Sequence, residues 1–401
     1  MQAAFRGEQV GADGQTLNCV ALAELYLARI DALDNSTDTG LPISSIVSLN
    51  PLWREQAEAL DATFDTSGPA GPLHCVPVLL KDLYDTFDFP TTASSLALAG
   101  SQPPDDAFTV ARLREAGALI LGKAGMSEYA YWTQSFNSVS QRIGTPYNTA
   151  MDAGGSSGGT AAAIAANFAV LGTGSDTCAS IRLPPSNNGL VGVRSSVGLV
   201  SQDGLVPLSH SMDVGGPITR SVRDAALMLD AMAGVDTADI RTQDPERIQP
   251  ASYTAHLNEQ GLAGRRIGVL RSYGGTDAFG SNADVNAIME LAIADIAAAG
   301  AEIVDPVELP DFTNISTLLI VQEFADHMDE YLASFDAPRD STQDIFTSGL
   351  VHPFIEALVG ASLLLRDTES ENYQTQLANR EAMRVYVETE LDARQLDALI
   401  Y

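Results

Sequence analysis

A glycine- and serine-rich segment at residues 154–160 (GGSSGGT) continues directly into an alanine-rich apolar stretch at residues 160–171. The apolar stretch predicts a helix that ends in a short buried strand at residues 169–171. A flexible linker is one interpretation of the glycines, but linkers do not usually continue into a buried helix. The segment therefore predicts a loop held between packed elements.

Two known glycine-rich motifs partly match this segment. Glycines at a helix N-terminus can cradle a phosphate, but the P-loop pattern needs a lysine that is absent here. The segment also satisfies GxSxG twice, centred on Ser156 and on Ser157. A nucleophile elbow follows an apolar strand, whereas residues 148–153 (NTAMDA) are not apolar throughout. Neither motif accounts for the segment.

The remaining hydrophobic pattern predicts an α/β protein. Short apolar runs predict strands, and apolar residues at helical spacing predict the helices between them. The predicted strands are residues 75–80, 118–122, 169–171, 267–270 and 302–307, with helices near residues 110–116, 160–171 and 285–296. A strand, a helix and a second strand in succession imply a parallel pair. No linker separates these elements, so we expect one domain over residues 1–401.

Lysine usage singles out one residue as a candidate base. The chain has 22 Lys and Arg residues, of which only Lys81 and Lys123 are lysines. Lys81 directly follows the apolar run at residues 75–80 and precedes Asp82. A lysine at the solvent-exposed end of a strand would also occupy such a position. Lysine can lose its proton when it is desolvated and arginine cannot. A rare lysine in an apolar context is therefore a candidate general base.

Composition excludes several classes of protein. The net charge of −30 argues against nucleic acid as a partner, because phosphate binding needs clustered Lys and Arg. The three cysteines are far apart and show no CxxC spacing, and the five histidines are scattered, so we expect reduced thiols and no metal site. Residues 1–20 hold no apolar signal-peptide core, and no run reaches the ~18 apolar residues of a membrane span. These features predict a cytoplasmic protein with no membrane span.

A second polar loop is predicted at residues 172–182, directly after the strand at residues 169–171. In α/β proteins the chemistry lies at the ends of strands. When this loop is considered together with the segments described above, the chain resembles the amidase signature hydrolases, which use a Ser–cis-Ser–Lys triad. The resemblance rests on residues 71–82 (GPLHCVPVLLKD), 154–159 (GGSSGG), 175–184 (SDTCASIRLP), 189–201 (GLVGVRSSVGLVS) and 209–226 (SHSMDVGGPITRSVRDAA).

The resemblance implies a fold and a catalytic triad. The implied fold is α/β, with a single large mixed sheet flanked by helices. Ser180 falls on the nucleophile that forms the acyl-enzyme, and Lys81 on the base. Ser156 falls on the serine that passes protons between them, and the peptide bond from Gly155 to Ser156 is cis in the family. A serine hydroxyl needs such a base, because it is a weak nucleophile while it keeps its proton.

The resemblance also implies the surroundings of the triad. The backbone amides of Thr177, Cys178 and Ala179, with that of Ser180, would hold the oxyanion of the substrate. A single good donor of this kind contributes ~3–4 kcal/mol to the transition state. The residues implied to support the site are Gly155, Ser157, Asp176 and Arg182, although Arg182 could equally be a surface residue.

The chain departs from the family pattern at several positions. Cys75 and Cys178 stand where the family normally has glycine, and Cys178 is an alternative nucleophile with a poorer register than Ser180. Residues 396–401 (LDALIY) resemble a segment that the family continues with further strands. We therefore expect that the C-terminal part of the domain is missing from the sequence.

The resemblance predicts an amidase that needs no cofactor or metal. It would convert a small-molecule carboxylic amide to a carboxylate and ammonia or an amine, and it could form a homodimer. Two alternatives stay open: an A-type subunit of an aminoacyl-tRNA amidotransferase, and a non-catalytic relative that keeps the fold as a scaffold.

Overall fold

The computed structural model describes residues 17–38, 40–244, 250–280, 282–310 and 319–401. The helices are α1 (Cys19–Leu33), α2 (Trp53–Ser67), α3 (Phe108–Glu115), α4 (Gly158–Ala165), α5 (Leu183–Asn187), α6 (Val222–Met232), α7 (Ala283–Ala298), α8 (Leu319–Ala333), α9 (Thr342–Thr347), α10 (Pro353–Leu365) and α11 (Glu371–Ala393). The strands are β1 (Ile46–Leu49), β2 (Pro77–Lys81), β3 (Leu119–Ala124), β4 (Phe136–Asn137), β5 (Gln141–Arg142), β6 (Gly144–Thr145), β7 (Asn148–Asp152), β8 (Leu171–Asp176), β9 (Val191–Gly192), β10 (Val214–Thr219), β11 (Arg266–Tyr273), β12 (Thr276–Asp277), β13 (Glu302–Leu309) and β14 (Ala398–Ile400). These elements form two units, Met1–Thr254 with Ile320–Arg366, and Ala255–Leu319 with Asp367–Tyr401.

The first unit is built on a six-stranded sheet in the order β1-β3-β2-β8-β10-β9. Strand β2 lies at its centre and pairs in parallel with both β3 and β8. The outer pairs, β1 with β3, β10 with β8 and β10 with β9, are antiparallel. The sheet is therefore mixed, which confirms the predicted fold class. The predicted strands at residues 75–80 and 118–122 correspond to β2 and β3 with small shifts of their ends.

Both faces of this sheet are covered, which explains why its central strands read as continuous apolar runs. Val78 and Leu80 contribute to one hydrophobic core, together with side chains of α3 and α6. Leu79, which points to the opposite face, contributes to a second core that contains side chains of α1, α2 and α4. The alternation along β2 is the two-residue period of a strand.

Strand β8 corrects the prediction of a loop that begins at residue 172. The strand runs to Asp176, and the loop begins only at Thr177. Glycine-rich sequence is a poor strand former, but here it allows close packing. A Cβ atom at Gly172 would overlap the side chain of Thr160 on α4, and one at Gly174 would lie 2.9 Å from Ile181 Cγ1. Pairing of β8 with β10 at all six of its positions thus overrides the local preference for a loop, and the glycines allow α4 and the following loop to pack against the strand.

The second unit contains the βαβ arrangement that the sequence predicts. Strands β11 and β13 pair in parallel, with α7 between them in sequence. Strand β12 pairs with β11 in antiparallel fashion, and β14 pairs with β11 in parallel. The predicted strands at residues 267–270 and 302–307 are confirmed, as is the helix at residues 285–296.

The expectation of reduced thiols is wrong for two of the three cysteines. Cys19, the first residue of α1, forms a disulfide with Cys75, which precedes β2, and their Cα atoms are 5.2 Å apart. The two residues are 56 positions apart in sequence. Their proximity comes from the packing of α1 against the turn before β2, so no local spacing pattern could indicate it. Among the described helices, none combines the length and the hydropathy needed to cross a membrane.

Candidate functional site

Lys81 lies at the carboxyl end of β2 and is completely buried. Its Nζ atom donates to Ser156 Oγ at 2.7 Å and to Ser175 Oγ at 2.9 Å. Its backbone amide donates to Thr173 Oγ1 at 2.9 Å, which ties the end of β2 to β8. The two central strands therefore fix both the backbone and the side chain of Lys81.

The environment of Lys81 favours the neutral amine. Burial lowers the pKa of Lys81 to about 7, while the carboxylates of Asp213 and Asp176 partly oppose this shift. Since an ordinary lysine has a pKa of about 10.4, Lys81 is unusual in having a large neutral fraction near neutral pH. A neutral amine beside a serine hydroxyl can accept the proton of that hydroxyl.

Ser156 lies in the turn that precedes α4. The peptide bond between Gly155 and Ser156 is cis, as the resemblance implies. A Cβ atom at residue 155 would lie 2.6 Å from the carbonyl oxygen of Trp132, so the close backbone approach requires glycine there. The carbonyl oxygen of Ser156 accepts from the amide of Ser127 at 3.0 Å. Ser157 donates to the carbonyl oxygen of Ser175 at 3.2 Å, so it joins this turn to β8.

Ser180 lies in the loop between β8 and α5 and is 6% exposed. Asp176, at the end of β8, shapes this loop, because its Oδ2 atom accepts from the amide of Ile181 at 3.0 Å. The same carboxylate lies 3.1 Å from Arg182 Nε and 3.4 Å from Arg194 Nε. Arg182 also donates to the carbonyl oxygen of Cys178. Asp176 and Arg182 therefore both bind the loop.

A second carboxylate holds the start of the loop. Thr177 Oγ1 donates to Asp213 Oδ1 at 2.5 Å. The other oxygen of Asp213 accepts from the amides of Leu208 and Ser209, each at 2.9 Å. Asp213 thus joins the loop between β8 and α5 to the segment before β10, and among the carboxylates it has the largest effect on the pKa of Lys81.

The structure brings two of the three predicted triad residues into direct contact. Lys81 and Ser156 are hydrogen-bonded, whereas Ser180 forms no hydrogen bond with Ser156 in the part of the chain that is described. The amides of Thr177 and Ala179 donate to no backbone acceptor among the described residues, so they can serve an oxyanion. Cys178, the alternative nucleophile, is exposed, whereas Ser180 is buried.

Sequence reasoning missed three contributors to the site. Ser175 contacts Lys81 directly, Asp213 binds Thr177, and Arg194 pairs with Asp176. The segments that carry the resemblance include all three residues, but none of them forms a local motif. Pairing of β8 with β10, which aligns Val214 with Asp176, is what brings Asp213 to the loop.

Lys123, the other lysine, is also completely buried but has a different environment. Its Nζ atom donates to the carbonyl oxygen of Tyr84 at 2.8 Å and to Thr91 Oγ1 at 2.6 Å. Burial lowers the pKa of Lys123 to about 8, while Asp82 and Asp85 raise it. Lys123 donates to no serine hydroxyl in the described chain, so the two lysines are not equivalent.

The fold and the sequence are similar to those of known amide-processing enzymes. A family model described as Amidase matches residues 21–401. The A-type subunit of the glutamyl-tRNA(Gln) amidotransferase of Burkholderia mallei is 39% identical over 308 residues, which are 74% of this chain and 59% of that protein. The corresponding protein of Paraburkholderia phytofirmans is 38% identical over 304 residues, 73% of this chain and 58% of that one. This chain therefore spans less than two thirds of the length of these curated relatives.

Solved structures show the same fold. A peptide amidase from Stenotrophomonas maltophilia superimposes with a TM-score of 0.88 at 34% identity, covering 99% of this chain and 81% of that chain. An amidase family protein from Bacillus anthracis gives a TM-score of 0.86 at 29% identity, covering 96% of this chain and 77% of the other.

Proposed function

The chain belongs to the amidase family, and from this premise we propose that it hydrolyses a carboxylic amide through an acyl-enzyme on Ser180. The observation that carries the proposal is the hydrogen bond between Lys81 Nζ and Ser156 Oγ, at 2.7 Å in a fully buried site. Ionised lysine cannot accept a proton, but burial gives Lys81 a pKa of about 7. The pair therefore supplies a base where a serine nucleophile needs one.

Acylation follows from the roles of the three residues. Ser180 Oγ attacks the carbonyl carbon of the amide, its proton passes to Ser156 Oγ, and the proton of Ser156 passes to the neutral amine of Lys81. A hydroxyl can relay the proton because it both donates and accepts. The C–N bond then breaks, and the leaving nitrogen takes a proton back along the same path. The product of this step is an ester on Ser180 with ammonia or an amine released.

Deacylation uses the same groups in the same order. A water molecule replaces the released amine, gives its proton through Ser156 to Lys81, and attacks the ester carbonyl. The bond between the carbonyl carbon and Ser180 Oγ then breaks, and Lys81 returns the proton through Ser156 to Ser180 Oγ, so that the carboxylic acid is released and the serine is restored. The amides of Thr177, Ala179 and Ser180 would hold the negative oxygen in both tetrahedral intermediates. Asp176 and Asp213 keep these amides in place through the loop contacts described above.

A covalent probe tests the proposed nucleophile. We expect a fluorophosphonate to add once to the intact protein, as measured by intact mass, and peptide mapping to place the adduct on Ser180. Ser180→Ala should remove the adduct, because its bonding atom is lost. Ser156→Ala should retain slow labelling, because it loses only the relay. An adduct that persists at full rate in Ser180→Ala would contradict the proposal and would direct attention to Cys178.

A second candidate function is that of an amidotransferase A-type subunit, which the 39% identity to those relatives favours. The net charge of −30 fits poorly with a tRNA substrate unless partner subunits supply the contacts. The two functions differ in a simple assay. Release of ammonia from simple amides without tRNA or ATP would support the amidase, and release only in the presence of partner subunits would support the amidotransferase.

A further inference from the structure

Cys19, Cys75 and His74 form a buried cluster outside the proposed active site, which we call the thiol–imidazole cluster. Neither cysteine has any exposed surface, and His74 is 2% exposed. The Nε2 atom of His74 lies 3.9 Å from Cys19 Sγ. Two of the three cysteines in the chain thus meet one of its five histidines in a single buried place.

The backbone at Cys75 has a conformation that favours glycine. Cys75 has a φ of 59°, a left-handed conformation that glycine adopts without strain and other residues adopt at a cost. Its amide donates to the carbonyl oxygen of Gly117 at 2.9 Å, so the conformation is fixed by the fold. A cysteine at such a position is explained if its sulfur makes a bond that glycine could not.

The same three residues are typical metal ligands, but the hydrogen bonds of His74 argue against a metal. The amide of Ala70 donates to His74 Nδ1 at 3.2 Å, so Nδ1 is the unprotonated nitrogen. In a neutral imidazole the proton is then on Nε2, which faces Cys19. Burial lowers the pKa of His74, which favours this neutral ring. A nitrogen that carries a proton has no lone pair for a metal ion.

We propose that Cys19 and Cys75 are a redox-controlled staple, closed by a low-molecular-weight disulfide while the chain folds. The thiolate of one cysteine attacks the small disulfide, forms a mixed disulfide with it and releases one small thiolate. When α1 packs beside the turn before β2, the second cysteine attacks the mixed disulfide and releases the other small thiol. In sum, two protein thiols and one small disulfide become one protein disulfide and two small thiols.

Burial determines when this exchange can occur. A reductant must reach a sulfur atom, and both sulfurs belong to residues with no exposed surface. The folded chain therefore protects the closed staple, and the redox conditions during folding set the state of the mature protein. The proposal is independent of amide hydrolysis, because neither cysteine touches the groups assigned to the triad.

Thiol counting tests whether the staple closes and is protected. The protein is folded from its reduced form with oxidised glutathione, treated with dithiothreitol under native conditions, desalted and then unfolded for titration with a thiol reagent. We expect one reactive thiol, that of the exposed Cys178, and three when dithiothreitol is added after unfolding. Three thiols in the first case would overturn the proposal. So would a stoichiometric zinc ion with no disulfide.

Stability provides the second measurement. Closing a loop across 56 residues is expected to raise the folded-to-unfolded ratio roughly a thousandfold, which urea unfolding of the stapled and reduced forms would detect. Cys178→Ser is the matched control and should keep this difference. Cys19→Ser and Cys75→Gly should abolish it, and Cys75→Gly also suits the backbone at that position, so that variant is expected to fold. An equal urea midpoint for the stapled and reduced wild type would overturn the proposal.

Discussion

Replacing Asp213 by asparagine tests how the site controls the protonation of Lys81. Asp213 is a buried carboxylate that accepts three hydrogen bonds, from Thr177, Leu208 and Ser209. Its charge raises the pKa of Lys81, against the larger effect of burial. The substitution Asp213→Asn would keep the shape of the side chain and remove the charge, so the pKa of Lys81 should fall below about 7.

The size of the effect follows from the fraction of neutral Lys81. With a pKa of about 7, roughly one tenth of Lys81 is neutral at pH 6 and roughly one hundredth at pH 5, so acylation should fall about tenfold per pH unit below 7. If removal of the charge lowers the pKa by about one unit, roughly half of Lys81 is neutral at pH 6. The acid limb of the profile then moves to lower pH, and the ratio of variant to wild-type rate rises about fivefold between pH 8 and pH 6.

The assay is the rate of fluorophosphonate labelling or of ammonia release between pH 5 and pH 9. Thr177→Val is the matched control, because it removes the hydrogen bond to Asp213 and leaves the charge. It should lower the plateau and leave the midpoint of the acid limb in place. An acid limb that stays in place or moves to higher pH in Asp213→Asn would refute the electrostatic argument, and a flat wild-type profile would refute the role of Lys81 as the base.

Three further substitutions give independent expectations. Lys81→Arg should lower amide hydrolysis by at least about a hundredfold, because guanidinium cannot act as a base near neutral pH; wild-type turnover in this variant would contradict the mechanism. Tyr84→Phe should lower the free energy of unfolding by ~1–3 kcal/mol in urea titrations, because the hydroxyl donates to the carbonyl oxygen of Gly174 at 2.7 Å inside the core. Gly192→Ala should lower the free energy of unfolding by ~1–3 kcal/mol, since a Cβ atom there would overlap the carbonyl oxygen of Ile181. An unchanged urea midpoint for Tyr84→Phe or for Gly192→Ala would contradict the corresponding prediction.

Periodicity predicted the class of the fold because it reports directly on burial. The runs that became β2 and β3 are buried at every position, as strands covered on both faces must be. Strand β8 was predicted too early and too short, at residues 169–171, because its sequence, LGTGSD, has the composition of a loop. It is a strand because it pairs with β10 along its whole length, and glycine at residues 172 and 174 lets α4 and the following loop pack closely against it. That cause lies in the tertiary structure and leaves no local trace.

The candidate site, too, could be predicted only in part from the sequence. Rarity of lysine pointed to Lys81, but it applies equally to Lys123, and only the three-dimensional contacts separate the two. The resemblance to a family selected Lys81 and the two serines. The pairing of Cys19 with Cys75 could not be predicted, because the 56-residue separation forms no motif and depends on how α1 packs.

The position of Lys81 has a consequence for chains that are not yet folded. Lys81 and Ser156 are 75 residues apart in sequence, so only folding of the chain brings them together. In the unfolded chain Lys81 is in water and nearly all of it is protonated at neutral pH, since its pKa is then about 10.4. A nascent or misfolded chain therefore carries no activated serine and cannot attack amides in its surroundings. Reaction with a serine-directed probe would for this reason count only correctly folded molecules in a mixed sample.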